Sequence, residues 1–226
     1  MSFLNKPIES ISETDLQTLK ENQVAEGKTV EYKAALPGGT DSGKKEFLAD
    51  VSSFANASGG HLLFGIEEAN GIPTAIPGLD IPDTDALINR LENIVRDGIE
   101  PRIPGIQMRK IDLKTSKKVI IISIPKSWSL PHMVIFQGHS KFYSRNSSGK
   151  YPLDVGELRS AFLLSETTIE RIRRFRLERL GKILSGETPV PVELVPKMVL
   201  HLIPINAFDP ARKLDPKFIF EQTKDI

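Results

Sequence analysis

Glu26, Glu31, Glu67 and Glu68 are the carboxylates with the most suggestive spacing, and Lys33 lies two residues beyond Glu31. Residues two apart on a strand project from the same face, so a strand through Thr29–Ala35 presents Glu31 and Lys33 side by side. Carboxylates with an adjacent lysine suit metal-dependent phosphodiester hydrolysis. The carboxylates would hold Mg²⁺ or Mn²⁺ through hard oxygen ligands, the ion would activate water, and Lys33 would steady the developing oxyanion. The same residues would serve equally as a solvated strand face, with Glu67 and Glu68 flanking a turn.

A second pattern, Gly38-Gly39-Thr40-Asp41-Ser42-Gly43-Lys44-Lys45, fits GxxxxGK between a strand and a helix, where a phosphate-cradling loop belongs. Lys45, however, stands where a hydroxyl should meet Mg²⁺, Pro37 opens the loop, and the preceding strand is charged. Glycine-rich loops before helices also arise as simple turns. The histidines, His61, His132, His139 and His201, form no HExxH pair and no serine sits in a GxSxG elbow, so neither a zinc hydrolase nor a serine triad is supported. The absence of cysteine removes disulfides, thiol nucleophiles and cysteine-held zinc.

Basic groups concentrate later in the chain. Lys141 to Lys150 alternates cationic, aromatic and hydroxyl side chains; Lys141, Arg145 and Lys150 suit phosphates, with Tyr143 available to stack on a base. An edge hairpin carrying ordinary lysines would look the same. A helix over Thr167–Leu184 sets Arg171, Arg173, Arg174, Arg176, Arg179 and Lys182 against an expected buried stripe of Ile169, Ile172, Phe175, Leu180 and Ile183. Its arginines could track a phosphate backbone or pair with acidic groups of the same protein. The formal net charge of +1 hides a split. Residues 1–100 carry 8 Lys and Arg against 17 Asp and Glu, a balance of −9, and residues 101–226 carry 22 against 12, a balance of +10.

The elements that must position these groups alternate in type. Helices are expected at Ser12–Glu21, Lys44–Ala57 and Thr84–Val95, and then from a cap at Asp154 to Leu164, with a further helix from Ser165 to about Leu184. Strands are expected at Thr29–Ala35, at His61–Glu67 as an apolar run buried on both faces, and at Ile72–Ile76 after an Asn70-Gly71 turn. An Ile106–Leu113 and Lys117–Ile124 hairpin, Met133–Phe136, Lys141–Arg145, Val199–Ile203 and Phe218–Phe220 complete the set. The pattern gives a mixed α/β fold, a mixed sheet flanked by helices. The divisions are a lead-in over 1–19, a domain over 20–165, a basic helical connector over 166–186, and from 187 to 226 the start of a second unit that more chain would complete. No apolar run approaches the ~20 residues of a spanning helix, and no leader pattern opens the chain, so a cytoplasmic location and no membrane partner are expected.

Several blocks occur in a recognisable order: Glu26-x4-Glu31-Tyr32-Lys33, Phe54-Ala55-Asn56-Ala57-Ser58-Gly59-Gly60, the strand to Gly65-Ile66-Glu67-Glu68, then Gly71, Pro131-His132-Met133-Val134 and Tyr143-Ser144-Arg145-Asn146-Ser147-Ser148. Together they resemble the Schlafen-type AlbA-like domain over about residues 20–165. The resemblance implies a nucleic-acid-binding module of mixed α/β fold, in a bacterial protein with a part in phage defence or RNA-level stress. In animal Schlafen proteins the similar domain cuts tRNA-like RNA with three carboxylates and a divalent metal. Carried onto this sequence, the carboxylates fall on Glu26, Glu31 and either Glu67 or Glu68. The animal proteins pair two lobes, so a single copy implies a homodimer. The leading expectation is a nucleic-acid binder, RNA before DNA, with metal-dependent endoribonuclease activity. A non-enzymatic module for DNA, RNA or a protein is the alternative, and nucleotide binding through Gly38 to Lys44 comes third.

Overall fold

The computed structural model describes residues 6–187, together with 198 and 200. The strands expected at Val199–Ile203 and Phe218–Phe220 and most of the linker after Gly186 lie outside the described residues. The chain divides into two compact units, Met1–Phe162 and Leu163–Ile226.

In the first unit, α1 (Glu13–Glu21) opens with a reciprocal cap between Ser12 and Asp15. After it come β1 (Val30–Lys33), α2 (Asp41–Asn56), β2 (Gly59–Phe64), the short β3 (Glu67–Ala69) and β4 (Ile72–Ala75), and α3 (Thr84–Gly98). Then follow β5 (Ile99–Glu100), β6 (Gln107–Asp112), β7 (Lys118–Pro125), β8 (Met133–Val134), β9 (Lys141–Asn146) and β10 (Gly149–Pro152). The final helix, α4 (Val155–Ser185), begins in the first unit and runs into the second. The fold is mixed α/β. One sheet has the order β1-β2-β7-β6, with β1 parallel to β2 and the other pairs antiparallel. A second, β10-β9-β8-β5, is antiparallel, and β3 and β4 form a separate hairpin.

The first sheet is buried on both faces, as its apolar run requires. Leu62, Phe64, Ile120, Ile122 and Ile124 pack with α2 and α3, whereas Leu63, Val119 and Ile121 pack with α1 and Ile8. β1 is an edge strand whose Val30 and Tyr32 join the α1 side. By alternation Glu31 and Lys33 point to the α2 side, in register with Leu62 and Phe64. The shared face expected for the two is therefore present, but it is turned inward beneath a helix.

Other departures have local causes. The His61–Glu67 strand ends at Phe64 because Gly65, at φ 96°, bends the chain, and its N–H and that of Ile66 both donate to the Lys33 carbonyl. Glu67 and Glu68 thus belong to the β3 hairpin, outside the first sheet. The helix expected from Lys44 starts at Asp41, because the Thr40 side chain caps it by accepting from the Gly43 N–H. Asp154 and Glu157 form the reciprocal cap that starts α4, but nothing in Ser165-Glu166 stops the helix and one continuous element replaces the two expected. Ile169 and Leu180, expected in a buried stripe, are exposed, and Phe175 and Ile183 are half-buried. A stripe is buried only where another element covers it.

Two features of the Phe54–Gly60 block hold the layers together. Gly60 lies so close to its neighbours that a Cβ would sit 2.4 Å from the Thr29 carbonyl and 2.6 Å from the Phe54 ring. Asn56 at the end of α2 donates to the carbonyls of His132 (2.9 Å) and Tyr143 (2.8 Å) and accepts from the His132 N–H (2.7 Å). One amide thereby joins the helix to β9 and to the chain entering β8. No described helix is long and apolar enough to cross a membrane.

Replacing Asn56 with alanine leaves these backbone groups without their partner and should cost about 3 kcal/mol in chemical denaturation. Asn56→Asp should not rescue it, because a carboxylate cannot donate to the two carbonyls.

Candidate functional site

The inward face of β1 meets α2, β9 and β10 in a chain of alternating charges. Glu31 Oε1 accepts from Lys33 Nζ at 2.7 Å, and Glu31 Oε2 accepts from Nη2 of Arg145 on β9. Lys33 Nζ also lies 3.7 Å from Asp50 on α2, and Asp50 holds Lys150 of β10 at 2.7 Å. Lys150 in turn pairs with Glu46, one helical turn before Asp50. Three cations therefore face three carboxylates. Burial alone would raise the Glu31 pKa, but the hydrogen bonds and charges of Lys33 and Arg145 outweigh it and hold it below the usual carboxylate range. Burial would likewise lower Lys33, yet Asp50 and Glu31 raise it. Asp50, nearly inaccessible, is raised by burial despite the opposing pull of Lys150 and Lys33.

Arg145 sits deepest. Its side chain is fully buried, with the guanidinium 3.7 Å from the centroid of the Phe54 ring, and its Nε and Nη1 have no hydrogen-bond partner among the described residues. Arg145, expected to contact phosphate, donates to Glu31. Lys150 is likewise committed to Asp50 and Glu46. The β9–β10 hairpin makes this possible by setting Lys150 opposite Arg145, a pairing that a loop over Asn146–Lys150 would not give.

Glu26 and Glu68 lie beside this network. Glu26 Oε1 accepts from the Tyr32 N–H at 2.6 Å, while its own N–H donates to the Gly71 carbonyl. Glu68 Oε2 accepts from the Gly71 N–H at 2.5 Å. Burial raises the Glu26 pKa, with Glu31 and Glu68 adding to the rise. Of the Glu67-Glu68 pair it is thus Glu68 whose charge reaches Glu26; Glu67 is exposed and contributes its carbonyl to Thr74 Oγ1.

These side chains do not fit a divalent ion as they stand. Both Glu31 oxygens are taken by cations, Glu26 and Glu68 each spend an oxygen on a backbone N–H, and among the described residues no three His, Asp or Glu side chains gather to hold a metal. Nor does Gly38–Lys45 wrap as a phosphate loop. Gly43 and Lys44 are already inside α2, and the Gly43 N–H belongs to Thr40.

A different group of cations is uncompensated. Lys44 and Lys45 in the first turns of α2, Lys141 at the start of β9 and Arg90 on α3 have no carboxylate partner among the described residues. Burial lowers the His139 pKa and the charges of Lys141 and Lys45 lower it further, which places both lysines around the turn that follows Phe136. His139 also stacks on Tyr143 and bonds its hydroxyl at 2.8 Å. Tyr143, expected to be free for a base, has its hydroxyl engaged by His139. Arg171 and Arg174 lie on exposed turns of α4 in the second unit. Lys44 was expected only as a phosphate-loop lysine, and Lys45 and Arg90 carried no expectation of binding; the Lys44-Lys45 doublet was the available signal.

Glu31→Gln should lower stability by about 3–5 kcal/mol, because it strands a buried guanidinium. The sign for pH follows from the depressed Glu31 pKa. Its stabilisation is present above the unfolded-state value and disappears as pH falls through the lower folded-state value. Wild type should therefore lose stability on acidification more steeply than Glu31→Gln, as read by thermal melts across the acid range.

Two solved structures align with part of the chain. The DIP2311 protein from Corynebacterium diphtheriae aligns at 16% identity with a TM-score of 0.40 over 62% of this chain. This chain spans only 26% of its length. The N-terminal domain of a RecG-related protein from Nitrosomonas europaea aligns at 22% identity with a TM-score of 0.42, covering 60% of this chain and 88% of that domain. No curated protein matches the chain. The family model for the Schlafen, AlbA_2 domain matches residues 26–154, from the first candidate carboxylate to the residue that caps α4, and the chain belongs to that family.

Proposed function

We propose that the chain is a nucleic-acid-binding module, RNA before DNA, that holds phosphates on the cationic face formed by Lys44, Lys45, Arg90 and Lys141. The observation that carries this is the contrast between two sets of cations. Lys33, Arg145 and Lys150 are neutralised by Glu31, Asp50 and Glu46, whereas the four on this face have no carboxylate partner among the described residues. Unpaired surface lysines around one turn supply a sequence-tolerant phosphate track. Glu46, adjacent to Lys45, is taken by Lys150, and Asp41 lies in the first turn of α2 without an ion pair among the described residues. Asp97 on α3 is taken by Arg96 at 2.9 Å.

Metal-dependent cleavage of tRNA-like RNA, which the family resemblance implies, is the competing activity. The influence of the Glu31 and Glu68 charges on Glu26 favours it, and the occupation of Glu31 by two cations opposes it. Incubation of the protein with tRNA and Mn²⁺ beside Glu31→Ala separates the two, since hydrolysis lost in the variant requires the carboxylate to be released from Arg145. Light scattering of the same sample tests the homodimer.

Binding should weaken steeply with salt. Replacing Lys44, Lys45 and Lys141 together by alanine should make the log–log salt slope shallower by about 2 for single-stranded RNA, at roughly 0.7 per phosphate contact. A flat salt dependence in the wild type would instead indicate a protein partner.

A further inference from the structure

A groove of about 640 Å³ runs along the outer side of α3 and is bounded by Gly39, Lys44 and Phe136. Its volume falls in the range of ligand sites, roughly 300–1,000 Å³. Its α3 wall is a stripe at helical spacing that includes Asn89, Arg90, Asn93 and Ile94. The opposite face of α3 buries Leu87, Leu91 and Val95; Ile94 and Phe136 rest against that core, and the polar side chains of the stripe take no part in it.

The lining is unusual in what it leaves open. Lys44 projects its ammonium over the Phe136 ring, 5.6 Å from the centroid. Arg90 gives one N–H to the Pro37 carbonyl at 3.3 Å, and the remaining guanidinium donors have no partner among the described residues. Asp97, the acidic group of the lining, is bound by Arg96 and offers the groove little uncompensated negative charge. Asn89 and Asn93 are exposed one turn apart, and each amide carries both a donor and an acceptor. Two cations, one aromatic face and two amides therefore surround one space.

We propose that this groove takes a single unstacked nucleotide. The phosphate lies between Lys44 and Arg90, the base packs against Phe136, and the amides of Asn89 and Asn93 meet the base edge. The site extends the cationic face and rests on the nucleic-acid reading, but it adds a substrate class. Single strands are preferred to duplexes, because a paired base must first break its pair and its stack to enter the groove. Lys44, suggested by sequence as a phosphate-loop lysine, instead becomes one wall of this groove.

Fluorescence anisotropy with a labelled single-stranded oligouridylate and a labelled RNA duplex tests the proposal. Arg90→Ala should weaken single-strand binding about ten-fold or more. Asn93→Ala should weaken single-strand binding without changing the salt slope and leave duplex binding unaltered, as expected for an uncharged group that reads a base. Both positions are exposed, so the fold should survive, and circular dichroism verifies it. AMP alone, followed by the side-chain amide signals of Asn89 and Asn93 in NMR, tests the same chemistry for a free nucleotide. Shifts with AMP but no strand binding would keep the nucleotide site and remove the strand. If Arg90→Ala and Asn93→Ala bind the single strand as wild type does while the Lys44, Lys45 and Lys141 triple variant fails, the groove is overturned and the cationic face stands. Equal affinity for single strand and duplex would also overturn it, and failure of every probe on the wild type would overturn both.

Discussion

A guanidinium wholly removed from water must be answered by a charge, and in this protein that requirement organises the centre of the fold. Arg145 leaves β9, lies on the Phe54 ring and ends on Glu31 of β1. Taking such an ion out of water costs several kcal/mol before any pairing is counted, so the carboxylate opposite it is held in place by the arginine as firmly as by its own strand. The remaining members follow in alternation. Lys33 balances the other oxygen of Glu31, Asp50 balances Lys33, and Lys150 balances Asp50. Removing Glu31 leaves Arg145 buried and unanswered, and the shared pairs join β1, α2, β9 and β10 as a unit.

This reassigns the chemistry of the charged residues. Glu31 gives both oxygens to cations and Glu26 and Glu68 give one each to a backbone N–H, while Arg145 and Lys150, which look ready for phosphate, are held by carboxylates. What remains for a ligand is a face that the core does not need: the start of α2, the beginning of β9 and the outer stripe of α3. Structural charges lie beneath α2 and unpaired charges lie at its N-terminal end. The −9 and +10 halves of the chain meet within the first unit through pairs such as Glu31 with Arg145 and Asp50 with Lys150, so part of their opposite charge is neutralised locally.

Much of the fold was legible locally. The β6–β7 hairpin, the capped start of α4 and the doubly buried β2 follow from period and turn chemistry that act over a few residues. The site was legible only in part. Alternation correctly put Glu31 and Lys33 on one face, but whether that face met solvent depended on α2 lying across it. The end of β2 at Phe64 was missed because the apolar pattern continues through Ile66, and only the close approach of Lys33 explains the bend at Gly65. Short β5 and β10 were missed for the same kind of reason, since two to four residues carry too little pattern to announce a strand without its partner.

The sequence by itself determined the mixed α/β class, the family, the order of the elements and the residue types available for chemistry, because these depend on local periodicity and on motifs read in order. Only the tertiary structure decided which charges are spent and which are free. Arg145 and Glu31 are 114 residues apart, as Lys150 and Glu46 are 104 apart, and no local rule couples positions at such distances. Their pairing arises because β9 and β10 pack against α2 above the edge strand, where burial makes an unanswered charge far more costly than in water.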